Sequence, residues 1–131
     1  MNGSTRTGVA NVLYVDDEAA IRRAVSNWLT RKGHAVHTAS DVASARAILA
    51  DHQVDGVFID LWLGSESGMT LHDWIRENIP ALASRTIIVS GDPASSEQLL
   101  KAVRELGLEV LAKPFELREL SEIAAKWQSN T

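Results

Sequence analysis

Two patterns of apolar residues alternate along the chain. Val12-Leu13-Tyr14-Val15, Val54 to Asp60 with Val57-Phe58-Ile59 at its heart, and Thr86-Ile87-Ile88-Val89-Ser90 are short, nearly continuous apolar runs closed by polar turns. Such runs read as strands buried on both faces, the habit of a parallel sheet. His34 to Ala39 and Leu108 to Ala112 read as two further strands. Between the runs the spacing becomes helical. Ile21, Val25, Trp28 and Leu29 fall at i, i+4, i+7 and i+8, with Gly33 placed to cap the helix end. Ser40-Asp41 are N-cap residues for a helix carrying Val42, Ala45, Ile48 and Leu49 on one side. Leu71, Trp74 and Ile75 mark a third helix ending near Pro80. Asp92 as N-cap and Pro93 in the first turn introduce a fourth, with an apolar face of Leu99, Leu100, Val103 and Leu106 and an end at Gly107. Leu117, Leu120, Ile123, Ala124 and Trp127 define the last. Five strands alternating with five flanking helices predict right-handed βαβ crossovers around a single parallel sheet, an α/β doubly wound fold.

Composition narrows the class. The 131 residues suit one domain, read as a polar leader at 1–8, a folded unit at 9–128 and a tail at 129–131. With 45% apolar and 23% charged residues the chain has the make-up of a water-soluble globular protein. Its 13 Lys and Arg against 17 Asp and Glu leave a net charge of −4, which argues against a nucleic-acid-binding face. Cysteine is absent, which excludes disulfides and thiolate metal sites. No apolar run approaches a membrane span of ~20 residues and the N-terminus lacks a signal-peptide core, so the expected location is the cytoplasm, with no membrane partner. The four histidines, at 34, 37, 52 and 72, form no metal-binding pair on one helix face and receive no role.

The candidate chemistry lies where the strands stop. Asp16 and Asp17 follow the first strand, Asp60 the third, Ser90 the fourth and Lys113 the fifth. Open α/β sheets bind ligands beyond the carboxyl ends of their strands, so these residues belong to one edge. In order and spacing, Val15-Asp16-Asp17-Glu18, the lone Asp60, Val89-Ser90-Gly91-Asp92 and Leu111-Ala112-Lys113-Pro114-Phe115 resemble the receiver domain of two-component response regulators. Gly68, eight residues after Asp60, fits as well, and the resemblance covers residues 9 to 128.

That resemblance implies the flavodoxin-like strand order 2-1-3-4-5. It places the first strand beside the third, so Asp16, Asp17 and Asp60 converge. Three carboxylates and one lysine are brought to electroneutrality by one divalent cation, and oxygen ligands suit Mg²⁺. By the resemblance, Asp60 accepts the phosphoryl group from a phosphohistidine on a sensor histidine kinase or histidine phosphotransfer protein. Asp16, Asp17 and Asp60 hold Mg²⁺, one of the first two through a water, and Trp62 lends its main-chain carbonyl. Lys113 and the metal shield the transferring phosphoryl oxygens, and Ser90 donates its hydroxyl to one of them. Lys113-Pro114 is a candidate cis peptide. On this reading the chain is a signalling module, not an enzyme acting on other substrates.

Three positions depart from the family pattern. Gly64 replaces a frequent proline four residues after the acceptor, Val110 replaces a usually aromatic switch residue three before the lysine, and Trp62 is bulkier than most residues there. Two rival functions share the architecture. A haloacid-dehalogenase-type phosphatase needs a second Asp two residues after the nucleophile, where this chain has Trp62. A flavin-binding module needs a Ser/Thr/Gly-rich phosphate loop after the first strand, where this chain has three acidic residues. No helix-turn-helix or catalytic output domain fits within 131 residues, so stand-alone regulator, relay receiver and piece of a longer protein stay open.

Overall fold

The structure is a computed structural model, and it describes residues 9–91 and 96–127. Its strands are β1 (Asn11–Val15), β2 (Ala35–Ala39), β3 (Gly56–Asp60), β4 (Trp62–Leu63), β5 (Glu66–Ser67), β6 (Thr86–Ser90) and β7 (Glu109–Ala112). Its helices are α1 (Ala19–Arg31), α2 (Val42–Asp51), α3 (Gly68–Asn78), α4 (Pro80–Ala83), α5 (Glu97–Leu106) and α6 (Leu117–Ala125). Five strands form one parallel sheet ordered β2-β1-β3-β6-β7, which is the expected 2-1-3-4-5 counted along the chain.

The strand period of two sorts the core into two layers. Leu13, Val15, Val57, Ile59 and Ile88 face α2, α3 and α5. Val12, Tyr14, Phe58, Ile87 and Val89 face α1 and α6. Both faces of β3 are therefore covered, and all five of its residues are buried, which is why its sequence reads as an unbroken apolar run ending in Asp60. Truncating one such side chain, Ile59→Ala, would cost about 2–5 kcal/mol through lost burial and the cavity left behind.

Capping fixes where the helices begin and end. The Asp41 side chain accepts from the Ser44 amide at 2.7 Å and starts α2, as expected. Gly107, at φ 68°, closes α5 in the left-handed conformation that glycine adopts without strain. The fourth long helix starts later than expected, with Ser96 as its N-cap accepting from the Leu99 amide at 3.1 Å. Asp92 and Pro93 lie outside the described residues. Its buried positions are Leu99 and Ala102, whereas Leu100, Val103 and Leu106 are exposed, so the apolar stripe is wider than the face the sheet covers. Among the described residues six helices stand where five were expected: α3 stops at Asn78, and Pro80 opens the four-residue α4 at a position where a missing N–H costs nothing. The turn after Asp60 is also more ordered than its composition suggests, because Trp62–Leu63 pairs antiparallel with Glu66–Ser67. No helix among the described residues is long and apolar enough to cross a membrane.

Candidate functional site at the carboxyl edge of the sheet

Backbone register brings the strand ends together. The Asp16 amide donates to the Ala39 carbonyl, the Leu61 amide to that of Val89 and the Lys113 amide to that of Ser90, at 3.0, 2.9 and 2.9 Å. These bonds continue the ladder past the strands and level the loops of β1, β3, β6 and β7. Asp16, Asp17 and Asp60 each offer a carboxylate oxygen within 4.8 Å of the others. The expected convergence of the acidic residues is found.

The three carboxylates have different surroundings. Asp16 is fully buried, and its carboxylate accepts from the Tyr14 hydroxyl at 2.8 Å, the Glu18 amide at 3.0 Å and the Lys113 ammonium at 3.3 Å. Asp60 is buried as well. It accepts from Lys113 Nζ at 2.7 Å and from the Trp62 amide at 3.2 Å. Asp17 is exposed at the rim, and one of its oxygens accepts from the Gly64 amide at 3.0 Å. The Gly64 loop is thus tied to the site rather than hanging free of it.

Lys113 faces two acids, and this decides the electrostatics. Burial pushes its ammonium down, but the hydrogen bond and charge of Asp60, together with Asp16, outweigh burial and raise it above the ordinary lysine value. Burial pushes the Asp60 carboxyl above the ordinary carboxylate range. Lys113 and the Trp62 amide pull it back only in part, and the neighbouring Asp16 charge adds to the rise. The lysine collects attraction from two carboxylates while Asp60 bears both desolvation and like-charge repulsion. A site with surplus negative charge at its floor is one a cation relieves.

The donor set fits a hard divalent cation. All the side-chain donors are carboxylate oxygens, and their spread is close to the ~4 Å across an octahedral Mg²⁺ shell. Asp16, Asp17 and Asp60 form the only such group of three acidic or imidazole ligands among the described residues. His37 and His52 meet ring to ring at 4.4 Å, but no third ligand joins them there.

The remaining expected residues fall as follows. Ser90 is buried at the end of β6, level with the cluster. Trp62 enters the site through its backbone, its amide contacting Asp60 while its side chain is 54% exposed. The position that would carry a dehalogenase-type second acid is therefore an outward-facing indole. The Lys113-Pro114 bond is cis. Sequence reasoning missed Tyr14. Its phenol is buried beneath the site, and burial first, then the Asp16 charge and hydrogen bond, raise it so far that it stays a donor. The signal was available: two residues before Asp16 on a strand places both side chains on one face.

A sequence model of the response regulator receiver domain matches residues 12–125. The DNA-binding transcriptional regulator NtrC of Azospirillum brasilense is 32% identical over 123 residues, covering 93% of this chain and 25% of that protein. The transcriptional regulatory protein GltR of Pseudomonas aeruginosa is 36% identical over 115 residues, 84% of this chain and 45% of that protein. Among solved structures, the receiver domain of NtrX from Brucella abortus superposes with a TM-score of 0.76 at 31% identity, over 89% of this chain and 97% of that one. The chain spans a quarter to a half of the length of these two curated relatives.

Proposed function

The chain belongs to the response regulator receiver domain family, a phosphoacceptor module of two-component signalling, and from that premise we propose that Asp60 is its phosphoryl acceptor. One observation carries the assignment. Lys113, delivered by the end of β7, reaches Asp60 at 2.7 Å and Asp16 at 3.3 Å in a pocket whose three carboxylates lie within 4.8 Å.

An Asp60 carboxylate oxygen attacks the phosphorus of a phosphohistidine. The N–P bond breaks, the imidazole leaves, and an acyl phosphate is formed. Asp16, Asp17, Asp60 and the Trp62 main-chain carbonyl would hold Mg²⁺. When bound, the cation neutralises charge on the transferring phosphoryl oxygens. Tyr14 and the Glu18 amide keep Asp16 in place for that task. Lys113 already sits between two carboxylates and supplies the second positive charge to the product. The Ser90 hydroxyl donates to a phosphoryl oxygen once phosphorylation has occurred.

The donor is a sensor histidine kinase or histidine phosphotransfer protein, and the reaction takes place in the cytoplasm. The domain promotes phosphorylation and dephosphorylation of its own aspartate and turns over no other substrate. It passes the signal to a partner or output domain, and with an acidic net charge it binds no nucleic acid itself. The reading is tested by incubating wild type and Asp60→Asn with a phosphorylated kinase. One phosphoryl group should move to wild type and none to the variant. Equal labelling of both would overturn it.

A further inference from the structure

At the opposite end of the sheet a cavity of about 370 Å³ opens between α3, α4 and the start of β7. That volume lies at the small end of ligand pockets, ~300–1,000 Å³. His72 and Arg76 from α3, Ala83 from α4, Leu106 and Leu108 from the end of α5 and beyond, and Glu109 from β7 line it. Thr86, also in its wall, has its hydroxyl satisfied by the Leu82 carbonyl at 2.9 Å. His72 does not share that condition. It is 2% exposed, and its Nδ1 is the one buried side-chain nitrogen or oxygen without a hydrogen-bond partner among the described residues. Asp73 Oδ1 is 3.7 Å away, beyond hydrogen-bonding distance. A buried polar atom left unpaired is costly, so a group that supplies its partner is favoured there.

We propose that this cavity binds a small zwitterion of the amino-acid class, its carboxylate on Arg76, its ammonium on Glu109 and its side chain against Leu106 and Leu108. The lining carries one cation and one anion, and they come from different elements, α3 and β7. A ligand with a net charge of either sign would meet repulsion from one of them; a zwitterion pairs with both. Arg76 is available, because its contact with Asp73 is a loose 3.9 Å pair about half exposed on each side, worth little in water. Burial pushes the His72 imidazole below its ordinary value, against a smaller pull from Asp73, so at neutral pH it adds a hydrogen-bonding group without charge. Leu106, 47% exposed, and Leu108, buried, give apolar surface for a short side chain.

The test is an NMR titration of the whole chain with the standard free amino acids up to ~10 mM, a range that captures weak effectors. At least one should give saturable shifts at His72, Arg76, Leu106 and Glu109, with a changed His72 Nδ1 resonance. Arg76→Gln and Glu109→Gln, both at exposed positions, should each weaken it about tenfold or more. Its deaminated and decarboxylated analogues should weaken equally. Asp60→Asn should bind like wild type, so the result stands apart from the phosphoacceptor assignment. Absence of saturable shifts, equal binding by the deaminated acid, or unchanged affinity in both variants would overturn the proposal.

Discussion

A Cβ added at Gly68 would fall well inside 3.0 Å of the Asp60 carbonyl oxygen, and close to the Ile59 side chain as well. The Gly68 amide meanwhile donates to the Leu61 carbonyl at 2.6 Å, so the first residue of α3 is held directly under the strand end that presents Asp60. Backbone lies on both sides of the contact and cannot swing away.

Gly68→Ala should therefore lower stability by about 1–3 kcal/mol, the range for overpacking a closed site. It should also slow phosphorylation by displacing Asp60. The midpoint of urea denaturation checks the first effect, and an unchanged midpoint would contradict it.

Asp60 itself should be a stability cost when no cation is present. Burial raises its folded pKa above the unfolded value, so the unfolded chain releases the proton first. The ionised site then destabilises the fold increasingly as pH rises above about 4 and remains a cost at neutral pH. Asp60→Asn should raise the melting temperature at pH 7 in EDTA, with the gain fading towards pH 4. Lys113 keeps Asp16 as a partner in this variant, so it is not left unpaired. A lower melting temperature at pH 7 would be the contrary result.

Mg²⁺ should stabilise the wild type by about 2.7 kcal/mol at a hundredfold excess over its dissociation constant. Asp17→Asn should remove most of that gain. Asp17 is exposed, so the variant should fold as the wild type does in EDTA, which a chelated control melt verifies. Equal stabilisation of both proteins would place the cation elsewhere.

Val110 is half-buried, pairs with Ile88 across β6 and β7, and packs against the core layer that holds Leu99 and Ala102. A β-branched side chain that short has neither the reach nor the torsional freedom of an aromatic switch. With a beryllofluoride phosphate mimic, the Val110 methyls should keep their rotamer while the amides of Gly91 and Ser96, following Ser90 and capping α5, shift. A rotamer change at Val110 with those amides unmoved would refute this route.

The carboxyl edge was legible because the strands that build it are continuous apolar runs whose ends are marked by Asp16, Asp60, Ser90 and Lys113. Where a rule of local pattern competes with a tertiary one, the reading slipped. Leu100, Val103 and Leu106 obey helical spacing, but the sheet beneath α5 has room only for Leu99 and Ala102. Pro80 signals the end of a helix and equally the start of one. The Trp62–Leu63 and Glu66–Ser67 pairing has no alternation long enough to detect. His72 resembles any helical histidine in sequence; only packing leaves its Nδ1 without a partner.

Which aspartate carries the phosphoryl group is read directly by borohydride reduction of the chain after reaction with a phosphorylated histidine kinase, followed by peptide mass spectrometry. An acyl phosphate at this position is reduced to homoserine, so residue 60 should be converted while Asp16 and Asp17 stay aspartate. Conversion at Asp16 or Asp17 with residue 60 unchanged, or phosphorylation that leaves no reducible acyl group, would contradict the account.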